Sequence, residues 1–136
     1  MKRIYGLIAL LALTSCAGTE TKSASELHSD LRSALSLASE TNLLIAQIEA
    51  GRLLPHFQRE HANYLRKEAL RQAKEVRDSG NGATDSNKVA LCAEQLDILS
   101  RELGSIATSS DRDTLVKADN EVENIRKKLI NVGAGR

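Results

Sequence analysis

The chain has 136 residues, 41% hydrophobic and 27% charged, with 19 Lys and Arg against 18 Asp and Glu for a net charge of +1. That length suits one domain, and the balance excludes a disordered acidic or basic tail and removes any bulk electrostatic case for nucleic acid. Two cysteines and three histidines give neither a disulfide framework nor a common structural zinc site, and with no Trp, one Phe and two Tyr there is little material for base stacking or an aromatic cage.

At the N-terminus, Lys2 and Arg3 precede Ile4 to Leu13, an uncharged and mostly apolar run. It is too short to cross a bilayer as a helix, which takes about 20 residues, and has the length and flanks of a secretory signal. The run ends in Leu13-Thr14-Ser15-Cys16. These four residues resemble the lipobox of bacterial lipoproteins: a branched residue, two small ones, and the cysteine that is acylated. The resemblance covers the signal alone and implies a route of export, not an activity. It implies that residues 1–15 are a signal peptide and that residues 16–22 are a lipidated cysteine and a tether. It also implies a diacylglycerol on the Cys16 sulfur and an acyl chain on its amine. More than one acyl chain makes such anchoring stable, so the membrane is the first expected partner. Ala17, rather than Asp, follows the cysteine. That resembles the outer-membrane default of enteric-type lipoproteins, so the expected location is the periplasm-facing envelope, outer membrane ahead of inner. The alternative is an ordinary secretory signal, with Ser15-Cys16-Ala17 as a small-x-small cleavage site that releases a soluble periplasmic protein.

Residues 17–22 are polar and reach only about 20 Å when extended, which would keep the domain near the membrane. Residues 23–133 then read as four amphipathic helices. The first opens at Ser23 with Glu26 three residues on, a capping-box spacing. Its apolar seam is Leu27, Leu31, Ala34, Ala38, Thr41, Ile45 and Ile48, and Gly51 follows as a left-handed stop. Pro55 suits the first turn of helix two, where its missing N–H costs nothing. That helix runs to about Asp78 with a looser face of Phe57, Ala62, Leu65, Ala69, Ala73 and Val76, and Tyr64 at the edge. Residues 78–87 are dense in turn formers and read as a loop. Helix three has the strict seam Val89, Cys92, Leu96, Leu99, Leu103 and Ile106. Ser110 and Asp113 give a second capping-box-like start. Helix four follows with Leu115, Ala118, Val122, Ile125, Leu129 and Val132, and ends at Gly133. No strand alternation appears. The expected fold is all-α, an up-down four-helix bundle; an extended coiled coil or oligomerising hairpin is the alternative. Alternating directions place the turns at residues 51–55 and 108–113 at a common tip, about 35 Å from the membrane-proximal end at ~1.5 Å per residue.

That tip gathers the candidate site residues. Leu53 and Leu54 are apolar where turns are usually polar. They either cap the end of the core or form, with Phe57, an exposed patch that would mark a partner site. His56 and Glu60 are four apart on one helix face, a weak alternative as metal ligands; His61 points elsewhere, and the Glu-x-x-His repeats of a di-iron bundle are missing. Residues 52–78 carry seven basic against four acidic side chains, and residues 17–51 two against five. Such neighbours favour their own pairing; a basic stripe facing anionic lipid or an acidic partner is the functional alternative. Cys92 sits in a strict seam, where a thiol acts as a small apolar residue, or else bridges a homodimer in an oxidising compartment. No Ser-His-Asp or Cys-His order and no phosphate-binding glycine loop stands out, so neither an enzyme nor a cofactor is expected. The expected role is a non-catalytic, membrane-anchored protein-interaction or scaffold function with an unidentified envelope protein. A small-ligand or metal-binding bundle is the alternative.

Overall fold

A computed structural model describes residues 24–80 and 85–135, nearly all of them in α1 (Ala24–Glu49), α2 (Pro55–Ser79), α3 (Ser86–Thr108) and α4 (Arg112–Gly133). The expected signal peptide, the lipidated Cys16, the tether and the Ser23 cap lie outside the described residues.

Punctuation in the sequence sets the helix ends. Gly51 takes φ +65°, a backbone state cheap only for glycine, and α1 stops before it. Pro55 opens α2 after an extended Leu54, as its fixed φ and missing donor favour. The start of α4 differs from expectation. Its cap is Asp111, whose Oδ2 accepts from the Thr114 N–H at 3.1 Å, while Ser110 turns its hydroxyl to Gln58. A carboxylate at the N-terminus also meets the positive end of the helix dipole, which favours Asp111 over the neutral serine.

The helices alternate in direction. Gln58, in the first turn of α2, reaches the α3–α4 turn: its Nε2 donates to the carbonyls of Ile106 at 2.8 Å and Ser109 at 3.0 Å. Its Oε1 accepts from Ser110 Oγ at 3.0 Å, so one buried amide ties the two tip turns together. At the other end, Ala24, Asp85 and Gly133 surround one small recess, which joins the starts of α1 and α3 to the end of α4. α1 and α3 each pack on both α2 and α4, and α1 approaches α3 across the diagonal while the α2 and α4 backbones stay further apart. The fold is therefore an all-α four-helix bundle.

One apolar core runs its length. Every seam residue expected for α1, α3 and α4 is buried. In α2 the expectation fails at one position. Phe57 is exposed, and Gln58 occupies the buried register with Ala62, Leu65, Ala69, Ala73 and Val76. The 4-3 spacing runs through position 58, and a buried amide is tolerated there because three hydrogen bonds satisfy it.

A further buried stripe in α3 lies beside its main seam and faces the expected alanines of α2. In α3, Ala93, Ser100 and Ala107 recur every seven residues and are buried. They lie three or four residues from Asp97, which pairs with Arg77 of α2, and from Gly104, over which Arg66 of α2 lies. Opposite them, Ala62, Ala69 and Ala73 stand three or four residues from Arg66 and Arg77. Facing rows of small side chains let two backbones approach, and α2–α3 has the most extensive close backbone approach in the bundle. Gly80 completes it: a Cβ there would collide with Val89 Cγ1. Among the described residues no helix is long and apolar enough to cross a membrane.

Candidate functional site

The bundle leaves its polar helix flanks outside, and the flanks of α1 and α2 do not close on each other. α2 carries a second 4-3 stripe beside its core stripe: Phe57, His61, Tyr64, Glu68, Arg71 and Glu75. α1 answers it with Asp30, Ser33, Ser36 and Glu40. Neither row is apolar enough to zip shut, and α1–α2 makes the sparsest contact of the four adjacent helix pairs.

The result is an open groove of three consecutive hollows. The first, about 80 Å³, lies between Asp30, Ser33 and Arg71, Gln72, Glu75, Val76. It shares Ser33 and Gln72 with the middle hollow, about 300 Å³, which adds Leu37, Glu40, Tyr64, Leu65 and Glu68. Tyr64 leads on to the tip hollow of about 410 Å³, walled by Leu53, Phe57, Glu60 and His61. The tip hollow is the most apolar of the three in its lining residues.

Electrostatically the groove is held by α2 alone over most of its length. The Arg71 guanidinium is hydrogen-bonded to the carboxylates of both Glu68 and Glu75. Hydrogen bonds from Arg71 and then Gln72 hold the Glu68 carboxyl below its usual range. The hydrogen bonds that Arg71 donates to Glu68 and then to Glu75 push its guanidinium further up. Near the tip, His61 Nε2 lies 3.8 Å from Glu40 Oε1 of α1. The cross-helix ion pair of Arg77 with Asp97 points to α3. The basic residues of α2 thus do not simply pair with the acidic α1: they serve their own helix and α3.

The tip residues singled out from sequence divide. Leu53 is half-buried and packs on the core, so it plays the capping part. Leu54 and Phe57 are 65% and 55% exposed, and Tyr64, one turn beyond His61, is 64% exposed. The patch is therefore Leu54 and Phe57 at the turn, continued along the groove by Tyr64. Tyr64 had shown only as an edge residue; its spacing of seven from Phe57 is the signal that joins them. The ring of His56 sits 5.8 Å from that of Phe57.

His56 Nε2 and Glu60 Oε1 do come together, at 3.1 Å on the exposed face. His61 stands with Glu40 instead, and among the described residues no three His, Cys, Asp or Glu side chains converge as a metal site. Cys92 is wholly buried, so a bridge to a second copy would require α3 to leave the bundle. On the opposite flank, burial and then the nearby Glu121 raise the Glu102 carboxyl above its usual range, with Lys117 and Arg101 partly offsetting them.

No family model, curated protein or solved structure matches the chain.

Proposed function

We propose that this chain is a lipid-anchored protein of the bacterial cell envelope, held by acylated Cys16. Its bundle would be a non-catalytic docking module for another envelope protein. The periplasmic face of the outer membrane is the proposed location. The observation that carries the docking reading is the exposed apolar surface of Leu54, Phe57 and Tyr64, beside a groove that the bundle does not fill. Large apolar side chains clustered on a monomer surface cost solvation unless a partner covers them. The anchor reading rests on the sequence from Lys2 to Cys16. The two fit together: a chain fixed at one end of α1 would present the tip away from the membrane, about 35–40 Å along the bundle at ~1.5 Å per residue.

The anchor is tested by the intact mass of the protein extracted from its native membrane. The expected mass is that of residues 16–136 plus three acyl chains and glycerol; a lipid-free chain starting at Ala17 or Gly18 rejects the anchor. The docking surface is tested by in-cell crosslinking of Leu54→Ser combined with Phe57→Ser. Leu53 is left alone because it supports the core. Both substituted residues are exposed, so each costs within about 0.5 kcal/mol of stability. Partner adducts should disappear while the helical circular dichroism stays unchanged. Adducts at wild-type yield would remove the tip from the proposal.

A further inference from the structure

Resting on the docking reading above, we propose that the α1–α2 groove receives one basic, amphipathic helix of the partner protein. Three properties of the groove select that occupant.

The first is shape. From Phe57 to Val76 the groove follows twenty residues of α2, about 28 Å from first to last at ~1.5 Å per step. A straight furrow of that length takes a helix of about 20 residues, laid against α1 and α2 as a fifth member of the bundle.

The second is the apolar thread. Phe57 and Tyr64 present exposed rings toward the tip, where Leu53 walls it, while Leu65 and Val76 beneath the groove are buried in the core. A helix meets such a thread with apolar residues every three or four positions.

The third is charge. Glu40, Glu60, Glu68 and Glu75 stand along the lining, with Arg71 as the one Arg or Lys among the lining residues. Arg71 is already engaged by two of those carboxylates. Lys67 and Lys74 of α2 are exposed but are not part of the lining. A helix with Lys or Arg flanking its apolar stripe would meet opposite charge on both walls. An acidic helix would meet like charge, which selects against it.

The test uses the full chain in its native membrane. Tyr64→p-benzoylphenylalanine places a photocrosslinker in the middle of the groove. Phe57→p-benzoylphenylalanine places one at the tip, and Leu70→p-benzoylphenylalanine places one at an exposed site outside the lining. The crosslinked peptide is sequenced by mass spectrometry. The expected adduct at Tyr64 is a partner peptide with apolar residues at three-four spacing and a net positive charge, absent from Leu70. Glu40→Lys combined with Glu60→Lys should cut that adduct about tenfold, equivalent to roughly 1.4 kcal/mol, with helicity retained. An acidic or non-amphipathic peptide at Tyr64, a lipid adduct, or a second copy of this chain would each overturn the proposal. So would an adduct insensitive to the charge reversal. A partner captured from Phe57 but not from Tyr64 would overturn the groove while leaving the docking tip standing. Capture from neither position would overturn both.

Discussion

Helix α2 has two neighbours and treats them differently. Toward α3 it presents Ala62, Ala69 and Ala73, and α3 replies with Ala93, Ser100 and Ala107. Toward α1 it presents Tyr64, Glu68 and Gln72, and α1 replies with Ser33, Ser36 and Glu40. The first pair of faces closes into the tightest seam of the bundle; the second leaves a furrow. The small residues on the first side do not bury much area each. Their contribution is to let the backbones approach, so that dispersion contacts run along the whole seam. The polar residues on the second side gain little from closing, because each would lose water. One helix thus divides structural and interaction roles between two flanks about a third of a turn apart.

The contrast is broken most directly by adding volume to each side. Ala69→Leu inserts a branched side chain where the surroundings are fully packed. It should cost about 1–3 kcal/mol or more, since the neighbouring helix must move. Gly80→Ala belongs to the same class, because its Cβ would collide with Val89 and with the Val76 carbonyl. Ser36→Leu adds a larger side chain to the groove and should change stability by less than about 0.5 kcal/mol. Urea unfolding of the variants in parallel makes the comparison. Equal losses for Ala69→Leu and Ser36→Leu would mean that the groove is closed in solution.

The next effect concerns the tip, where both flanks end. Gln58 is the polar intruder in the α2 core stripe, and its three hydrogen bonds join the turn before α2 to the turn before α4. Gln58→Ala removes those bonds and leaves a buried hole beside two carbonyls. A loss of about 1–3 kcal/mol is expected. Gln58→Glu should also destabilise, since a carboxylate cannot donate to the Ile106 and Ser109 carbonyls. Wild-type stability for both variants would show that the α3–α4 turn is held without Gln58. Because Phe57 and Leu54 sit beside this clamp, hydrogen exchange at the tip turns should rise in Gln58→Ala before global unfolding does.

Most of the fold could be read from spacing. The seams of α1, α3 and α4 are strict 4-3 rows of Leu, Ile, Val and Ala with Thr41 and Cys92 among them, and each row is buried. Gly51 and Pro55 punctuate α1 and α2 through backbone physics that does not depend on context. The failures come where a residue type misleads about its surroundings. Phe57 reads as core because it is aromatic, yet the register runs through Gln58. The polarity of Gln58 hides its place because its partners are some fifty residues away in sequence. The alanines of α2 belong to its expected face, but the facing row of Ala93, Ser100 and Ala107 in α3 does not show in the sequence, since small residues act through what they permit next to them. The groove was less legible still. Leu53, Leu54 and Phe57 were recognised as a pair of alternatives, cap or patch, and the structure assigns Leu53 to the first and the other two to the second. That Glu40 of α1 lines the same groove as Tyr64 depends on which helices pair, and sequence spacing within one helix carries no such information.

The smallest effect separates two glutamates that sit on these different kinds of surface. Glu68 lies in the open groove, where Arg71 and Gln72 hydrogen-bond its charged form and lower its titration. Glu102 lies on the α3 flank toward α4, where partial burial and Glu121 disfavour the charged form and raise it. The signs for stability are opposite. For Glu68 the native state holds the proton less tightly than the unfolded chain, so its contribution is present above the ordinary carboxylate range. That contribution fades as pH falls through the lowered native value. For Glu102 the native state holds the proton more tightly. Stability therefore declines as pH rises from the ordinary range through the raised native value, and at neutral pH the charge is a cost. Glu102→Gln should accordingly raise stability at pH 7 and flatten that decline, and Glu68→Gln should lower it. Both side chains are only partly exposed, but water still screens them, so each change should be about a few tenths of a kcal/mol. Urea midpoints between pH 4 and 7.5 would resolve the pair by sign even where the magnitudes are close. A rise for both variants would mean that the Glu68–Arg71 pairing contributes nothing in solution. The α2 side of the groove would then present two carboxylates and a guanidinium free to reorganise around an incoming helix.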